Sequence, residues 1–317
     1  MAYLQLFGGL IYLLMGGDLL VRGSVALARR VRVPPLIVGL TVVSFGTSLP
    51  ELVVSLQAAL AGYPAMAIGN VVGSNIANVL LVAGAPAIAY PLLCNRGYER
   101  RNASIMLGAS ILFVALSLAG ELDRVAGLVL LLAMAVIAAY TVWTAYRARQ
   151  EIEEVPAMDW VLGFPSRMWM IGLFIAVGGV GLPVGARLMV EAAVEVGAQL
   201  GVSDAFIGLT VVAVGTSLPE LATAFVAVVK REAEVAVGTL TGSCVFNILG
   251  IIGLAALVSP SPIPVPSGFR SLDLPVMLGA AFALTFLVWY RRSIGRVAGI
   301  TMVAGYVAYL VILVNNA

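Results

Sequence analysis

No histidine occurs anywhere in the 317-residue chain. Its absence excludes Ser-His-Asp and Cys-His catalysis, His-ligated zinc and proton switching by imidazole. Cysteine is nearly missing too, and Cys94 and Cys244 make neither a disulfide framework nor a four-cysteine metal site. Charge is scarce: Asp, Glu, Lys and Arg make up 11% of the residues, where a soluble domain carries about 25%. A net charge of +2 gives no basic field to attract nucleic acid. What fills the chain instead is apolar, with 61% hydrophobic residues and a mean hydropathy of +1.06. A water-soluble fold of this size cannot hide that much apolar surface, so a soluble enzyme, a disordered chain and a nucleic-acid binder are all excluded. The remaining class is a polytopic protein of the lipid bilayer, working with carboxylates, hydroxyls and amides. Nothing in the sequence calls for a resident cofactor or an obligatory protein partner.

A membrane helix needs about 20 mostly apolar residues. About ten such stretches occur, near 3–21, 36–60, 66–90, 104–119, 125–146, 168–188, 205–229, 235–258, 272–290 and 295–314. None alternates with period two, so helices rather than a barrel satisfy the backbone in lipid. The first stretch has no basic residues before it and Arg22, Arg29, Arg30 and Arg32 after it, unlike a cleavable signal. With the N-terminus outside and the sides alternating, about 15 of the 18 basic residues collect inside, and Arg124, Arg187 and Arg270 remain. That is the bias of the positive-inside rule. It predicts a multi-pass protein of the plasma (cytoplasmic) membrane with both termini outside.

Residues 39–80 and 208–249 align without a gap at an offset of 169, with 19 of 42 positions identical, including GTSLPEL against GTSLPEL. A duplicated unit leaves this self-similarity. The repeat sets spans two and three opposite spans seven and eight. An offset of five spans is odd, so the second half enters the membrane from the other side, as in the inverted repeats of secondary transporters. The predicted fold is an all-α membrane protein of two inverted five-helix repeats, 1–146 and 168–317. A short charged cytoplasmic linker, 147–167, joins them.

GTSLPE lies in mid-span twice. Pro50 and Pro219 lack an N–H, and Gly46 and Gly215 loosen the same turn, so each helix should break and free carbonyls within residues 43–47 and 212–216. Free backbone groups at membrane depth are tolerated around cavities or ion sites. Glu51 and Glu220 follow the prolines directly, and a central carboxylate costs about 2.5–3.5 kcal/mol on insertion scales. A capping box, Ser48-x-x-Glu51 and Ser217-x-x-Glu220, is the competing structural reading. It explains a glutamate after a break but not the break itself, and glutamine would cap nearly as well. A second element, Gly73–Asn78 and Gly242–Asn247, places Ser74 with Asn78 and Ser243 with Asn247 at i, i+4 on one helix face. Interhelical hydrogen bonding is its alternative role. Cys244 takes the place of Asn75 and reads as a packing residue. An all-oxygen set of this kind suits Na+, Ca2+ or Mg2+ and not Cu+ or Zn2+, and a dry cage of flexible oxygens favours Ca2+ over Mg2+. Two carboxylates neutralise one Ca2+ or two Na+, and the empty doubly charged site should be too costly to carry across the bilayer. This gives exchange a physical reason.

The paired GTSLPEL segments, with GSNIAN and GSCVFN, resemble the two alpha repeats of the calcium/cation antiporter superfamily, and the chain is most similar to its prokaryotic Na+/Ca2+ exchanger branch. The resemblance implies alternating access around spans two, three, seven and eight, with spans one and six sliding against them. It implies electrogenic exchange, Na+ entry driving Ca2+ out. It implies Ca2+ held by the carboxylates of Glu51 and Glu220 and the carbonyls of Thr47 and Thr216. The implied Na+ sites use those carboxylates with Ser48, Ser217, Ser74 and Ser243 and the carbonyls of Ser44 and Ala213. Asn78 and Asn247 would line the middle. Some relatives, including K+-dependent ones, carry Asp where this chain has Asn247, so coupled K+ transport is not implied. Thr239 opposite Asn70 is a milder asymmetry.

Asp18 with Arg22 and Arg187 with Glu191 read as i, i+4 surface pairs, with gating as the other role. The competing functions are H+/Ca2+ antiport through the same glutamates and, from another class, a cation channel or a non-transporting membrane protein. Without histidine or paired membrane aspartates, an intramembrane protease is disfavoured.

Overall fold

The computed structural model describes residues 2–94, 97–151, 165–199, 213–291 and 293–316. Helices dominate, because in lipid each backbone group must find its partner within its own segment. The first half comprises α1 (Ala2–Val31), α2 (Pro35–Thr47), α3 (Leu49–Leu60), α4 (Pro64–Ala89), α5 (Gly97–Ser117) and α6 (Arg124–Glu151). The second comprises α7 (Met168–Gln199), α8 (Ala213–Thr216), α9 (Leu218–Val229), α10 (Ala233–Val258), α11 (Phe269–Arg291) and α12 (Arg296–Asn316).

Ten spans are expected. Among the described residues seven helices are long and apolar enough to cross a membrane, and the bent pair α2–α3 makes an eighth. Two circumstances account for the difference. The helix α5 opens on Glu99, Arg100 and Arg101, which lower its hydropathy. The apolar stretch before α9, including Gly208–Val212, lies outside the described residues, as does most of the 147–167 linker. The helix α6 runs on to Glu151, five residues past the expected end of its span, and Arg147 stacks over the Trp143 ring at 4.1 Å.

Burial sorts the helices into a centre and a jacket. The α4 and α10 windows are 72% and 78% buried, against 22% to 33% for α1, α6, α7 and α12, whose exposed Leu, Val, Ile and Phe side chains face the lipid. In the jacket α1 and α7 lie antiparallel, with Gly9 against Gly185, Gly16 against Gly178 and Gly23 against Ile175. A Cβ on Gly178 would stand 2.6 Å from the Leu20 nitrogen and 2.7 Å from the Gly16 oxygen, so only glycine lets these backbones meet. Spans related by an odd offset must run oppositely, and this pair does. The central α10 runs parallel to α2 and equally close, with Gly238 and Gly242 under the Leu36 and Leu40 carbonyls.

Four short strands tie the loops together. The strands β1 (Leu92–Leu93) and β4 (Ser293–Ile294) pair, Leu92 with Ile294; β2 (Glu121–Leu122) and β3 (Ile263–Pro264) pair, Leu122 with Ile263. Each pair joins two loops that strict alternation of ten spans sets on the same side of the bilayer.

Candidate ion site

Both GTSLPE segments break their helices in the same way. Ser48 has φ −89° and ψ 8°, and Ser217 has φ −90° and ψ 3°. The first break bends α2 against α3 by 48°. Pro50 and Pro219 sit at the second position of the new helices, and neither has an N–H to offer the carbonyl of Gly46 or Gly215. The freeing of carbonyls is narrower than expected, because the Ser44 oxygen accepts the Ser48 N–H at 3.0 Å and the Thr47 hydroxyl at 3.3 Å. Capping does not account for the motif. Neither Ser48 nor Ser217 makes a side-chain cap; the Ser48 hydroxyl crosses the molecule and donates to Glu220 Oε1 at 3.1 Å.

The two breaks bring the two halves together. Glu51 and Glu220 are both 0% exposed and lie within electrostatic reach of each other. Neither has an ion-pair partner among the described residues. Three of their four carboxylate oxygens, Glu51 Oε1 and Oε2 and Glu220 Oε2, have no hydrogen-bond donor. Around them Thr47, Ser48, Ser74, Ser217, Ser243, Asn78 and Asn247 are buried. The Ser217 and Ser243 hydroxyls, both polar atoms of Asn78 and Asn247 Oδ1 are likewise unpartnered, and Thr47 and Ser243 face the Glu220 carboxyl. Half-buried Thr216 meets Ser74 hydroxyl to hydroxyl at 3.5 Å. The Ser44 hydroxyl turns back to Leu40 O. Ala213 opens α8, and the residues before it lie outside the described set.

So many buried oxygens without donors are costly unless something positive fills the space. The donor set is two carboxylates plus neutral hydroxyl, amide and carbonyl oxygens. Among the described residues no three His, Cys, Asp or Glu gather. Oxygen sets of this kind suit hard cations.

Several contributors were not singled out from the sequence. Asn75 spans the two halves, donating to Cys244 O at 3.2 Å and accepting from Asn247 Nδ2 at 3.2 Å; its signal was a second amide three residues before Asn78. Cys244 itself is buried among the core side chains. Asn70 holds the Ser55 hydroxyl at 3.0 Å and the Glu51 carbonyl at 3.4 Å, while the matching Thr239 hydroxyl is buried and unpartnered. Asn78 opens a π-helical turn, Asn78–Val82, and Asn247 lies in another, Phe246–Ile252. Such turns widen a helix beside functional groups.

Two cavities flank the site. One of about 660 Å³ separates α3 from α7 and reaches Pro50, Thr216 and Pro219, with Arg187 and Glu191 on its wall. The other, about 800 Å³, is a mostly apolar cleft between α2, α5, α6 and α7 that borders Ser44 and Gly46.

The family described as "Sodium/calcium exchanger protein" matches residues 1–143 and 170–315, nearly the whole chain and both halves. The chain belongs to the sodium/calcium exchanger family. Among similar proteins, Sodium/calcium exchanger MaX1 of Methanosarcina acetivorans is 31% identical over 98% of each chain. Inner membrane protein YrbG of Escherichia coli is 35% identical, covering 96% of this chain and 94% of its own. The solved sodium-calcium exchanger NCX_Mj, soaked with zero Na+ and Ca2+, superposes with a TM-score of 0.83 at 29% identity over 98% of each chain. Membership makes this a membrane transport protein of the antiporter superfamily, with the inverted-repeat fold.

Proposed function

We propose that the chain is an antiporter that exchanges Na+ for Ca2+ across the plasma membrane by alternating access, extruding Ca2+. The observation that carries the reading is the pair of buried glutamates, three of whose four carboxylate oxygens lack donors, set in a cage of neutral oxygens. Ca2+ is assigned to the carboxylates of Glu51 and Glu220 and the carbonyls of Thr47 and Thr216. Na+ is assigned to the same carboxylates with Ser48, Ser217, Ser74 and Ser243 and the carbonyls of Ser44 and Ala213, and Asn78 and Asn247 line the centre. Because both ions compete for the same two charges, either can satisfy the site and neither can share it. An empty site keeps two unneutralised charges, so the loaded forms cross more readily than the empty one. Exchange, rather than leak, follows. Transport is electrogenic when the Na+ taken in carry more charge than the Ca2+ released.

The chain divides as 1–146, the 147–167 linker and 168–317. The positive-inside bias supports both termini outside, with the α9–α10 turn and the β1–β4 loops on the inner side. On this orientation the cavity between α3 and α7 opens outward. The test is Ca2+ uptake into Na+-loaded proteoliposomes with Na+, K+ and H+ gradients applied separately. Uptake driven by the Na+ gradient is expected. Uptake driven by a pH gradient without Na+ would replace Na+ by H+, and uncoupled dissipation of both gradients would make the protein a channel.

A further inference from the structure

The two faces of the molecule are closed differently. The 169-residue shift sets Gly9 and Gly16 of α1 on Gly178 and Gly185 of α7, and it sets Asp18 and Arg22 on Arg187 and Glu191. Each helix thus carries an i, i+4 ion pair at the same position, 2.7 Å in both, with the signs exchanged. What stands opposite differs. Lys230 Nζ, in the turn between α9 and α10, lies 2.6 Å from Asp18 Oδ1, and Arg29 Nη2 lies 3.6 Å from Glu232 Oε1 in the same turn. The matching turn between α3 and α4 reads Ala61-Gly62-Tyr63 where this one reads Lys230-Arg231-Glu232. Both turns need a left-handed residue. One uses Gly62 at φ 84°, the other forces Arg231 to φ 63°, a strained setting for a side chain. The turn beside Asp18 keeps charged residues where its counterpart has none.

Packing follows the charges. The helix α1 rests directly on α9: a Cβ on Gly17 would stand 3.3 Å from Ala222 O and 3.4 Å from Val226 Cγ2. The matching helices α7 and α3 are held apart by the 660 Å³ cavity. The geometry points to a latch: Asp18, gripped by Lys230 and Arg22, fastens α1 to the α9–α10 turn and shuts the inner route to the ion site while the outer route stands open. This rests on the alternating-access reading above. For the site to face inward α1 must leave α9 and the Asp18–Lys230 contact must part. With Ala61 in the matching place, the α3–α4 turn has no charged side chain to make an equivalent contact in return. The latch therefore biases the ion-free exchanger toward its outward-open form.

The experiment places a reporter thiol under α1, Val226→Cys, in the full chain reconstituted in vesicles. Cys94 and Cys244 are both buried, so the chain without the reporter sets a low background. Alkylation by N-ethylmaleimide in ion-free buffer is compared for the reporter alone and with Asp18→Asn, Lys230→Gln and both. Each single substitution is expected to speed labelling about two- to tenfold, and the double to be no faster than the faster single, because both remove one contact. Val53→Cys, which lines the open cavity, should label readily in the parent and no faster in any variant, so a rise at both reporters signals loss of the fold. Unchanged labelling in both single variants, or effects that multiply in the double, overturns the latch. Na+-driven Ca2+ uptake by the parent is read separately. A working exchanger whose reporter ignores both substitutions loses the latch alone, whereas a parent without Na+-dependent uptake loses the exchange reading and, with it, the role given to the latch.

Discussion

Glu51→Gln is the sharpest perturbation of the ion site. Glu51 is wholly buried and neither of its carboxylate oxygens has a donor, so its charge has no protein partner to lose. The amide keeps the shape and removes one of the two charges that neutralise Ca2+. Removing one partner of a buried ion pair costs about 3–5 kcal/mol, which is about two to three and a half decades of affinity at about 1.4 kcal/mol per decade. The consequence is readable in stability. Ca2+ at about 100 times its dissociation constant stabilises the parent by about 2.7 kcal/mol; with that constant raised a hundredfold, the same Ca2+ contributes about 0.4 kcal/mol. At about 2 °C per kcal/mol for a chain of this size, Ca2+ should raise the unfolding midpoint by about 5 °C in the parent and by less than about 1 °C in the variant. Thermal unfolding in detergent with and without Ca2+, beside Na+-dependent Ca2+ uptake in vesicles, measures both. Glu191→Gln, on the half-exposed wall of the outer cavity, should retain the full shift. A Glu51→Gln protein that keeps both the Ca2+-induced shift and the uptake would refute the assignment of the site.

Ser48→Ala removes a hydroxyl assigned to Na+ and not to Ca2+ and should raise the Na+ half-saturation about tenfold, the loss of about 1.4 kcal/mol of ligation, while moving that for Ca2+ less than about twofold; the opposite pattern in flux titrations would reverse the division of ligands. Gly178→Leu should wedge α1 from α7, since the Cβ already comes 2.6 Å from Leu20 N, lowering stability by about 1–3 kcal/mol and stopping exchange, whereas Gly172→Leu, with nothing within 4 Å of its Cβ, should do neither; equal melting curves would show that the interface yields. Asn247→Asp puts a third carboxylate where Oδ1 now lacks a donor and should tighten divalent binding while slowing turnover, and parental values for both in equilibrium binding and flux would place Asn247 away from the ions.

The membrane class, the inverted halves and the paired breaks could be read from the sequence because each leaves a one-dimensional mark: apolar length, a gapless repeat, and proline after glycine. The breaks at Ser48 and Ser217 agree within a few degrees in φ and ψ, as identical heptapeptides in equivalent settings should. The spacing also fits a capping box, and the direction taken by the Ser48 hydroxyl decides against it. The bridging role of Asn75 leaves no mark in the sequence, because its partners, Cys244 and Asn247, come from the other half of the chain. The π-helical turns at Asn78 and Asn247 depend on how the flanking helices pack, and no residue type announces them. Lys230 was read as an orientation charge, a sound account of a loop lysine until the fold carries Asp18 to within 2.6 Å of it.

The two halves agree at the proposed ion site and disagree near the ends of the spans. Glu51 and Glu220, Ser74 and Ser243, and Asn78 and Asn247 are identical under the 169-residue shift, while Asp18 meets Arg187, Arg22 meets Glu191 and Ala61-Gly62 meets Lys230-Arg231. Both results follow from inserting one unit in two senses. A site that must accept ions from either side gains nothing from a preferred direction, so its ligands can stay matched. The ends face different compartments, and the bias of basic residues toward one side can orient both halves only if their terminal charges diverge. That divergence has a mechanical result. Once lysine and arginine occupy the α9–α10 turn and alanine and glycine the α3–α4 turn, the closures of the two faces are no longer of equal strength, and two otherwise symmetric conformations become unequal in free energy. The preference for one access state is then a by-product of orientation. Exchanging Ala61-Gly62 with Lys230-Arg231, and the acid–base order at Asp18–Arg22 with that at Arg187–Glu191, should shift the access preference toward the other face while leaving the ion ligands untouched.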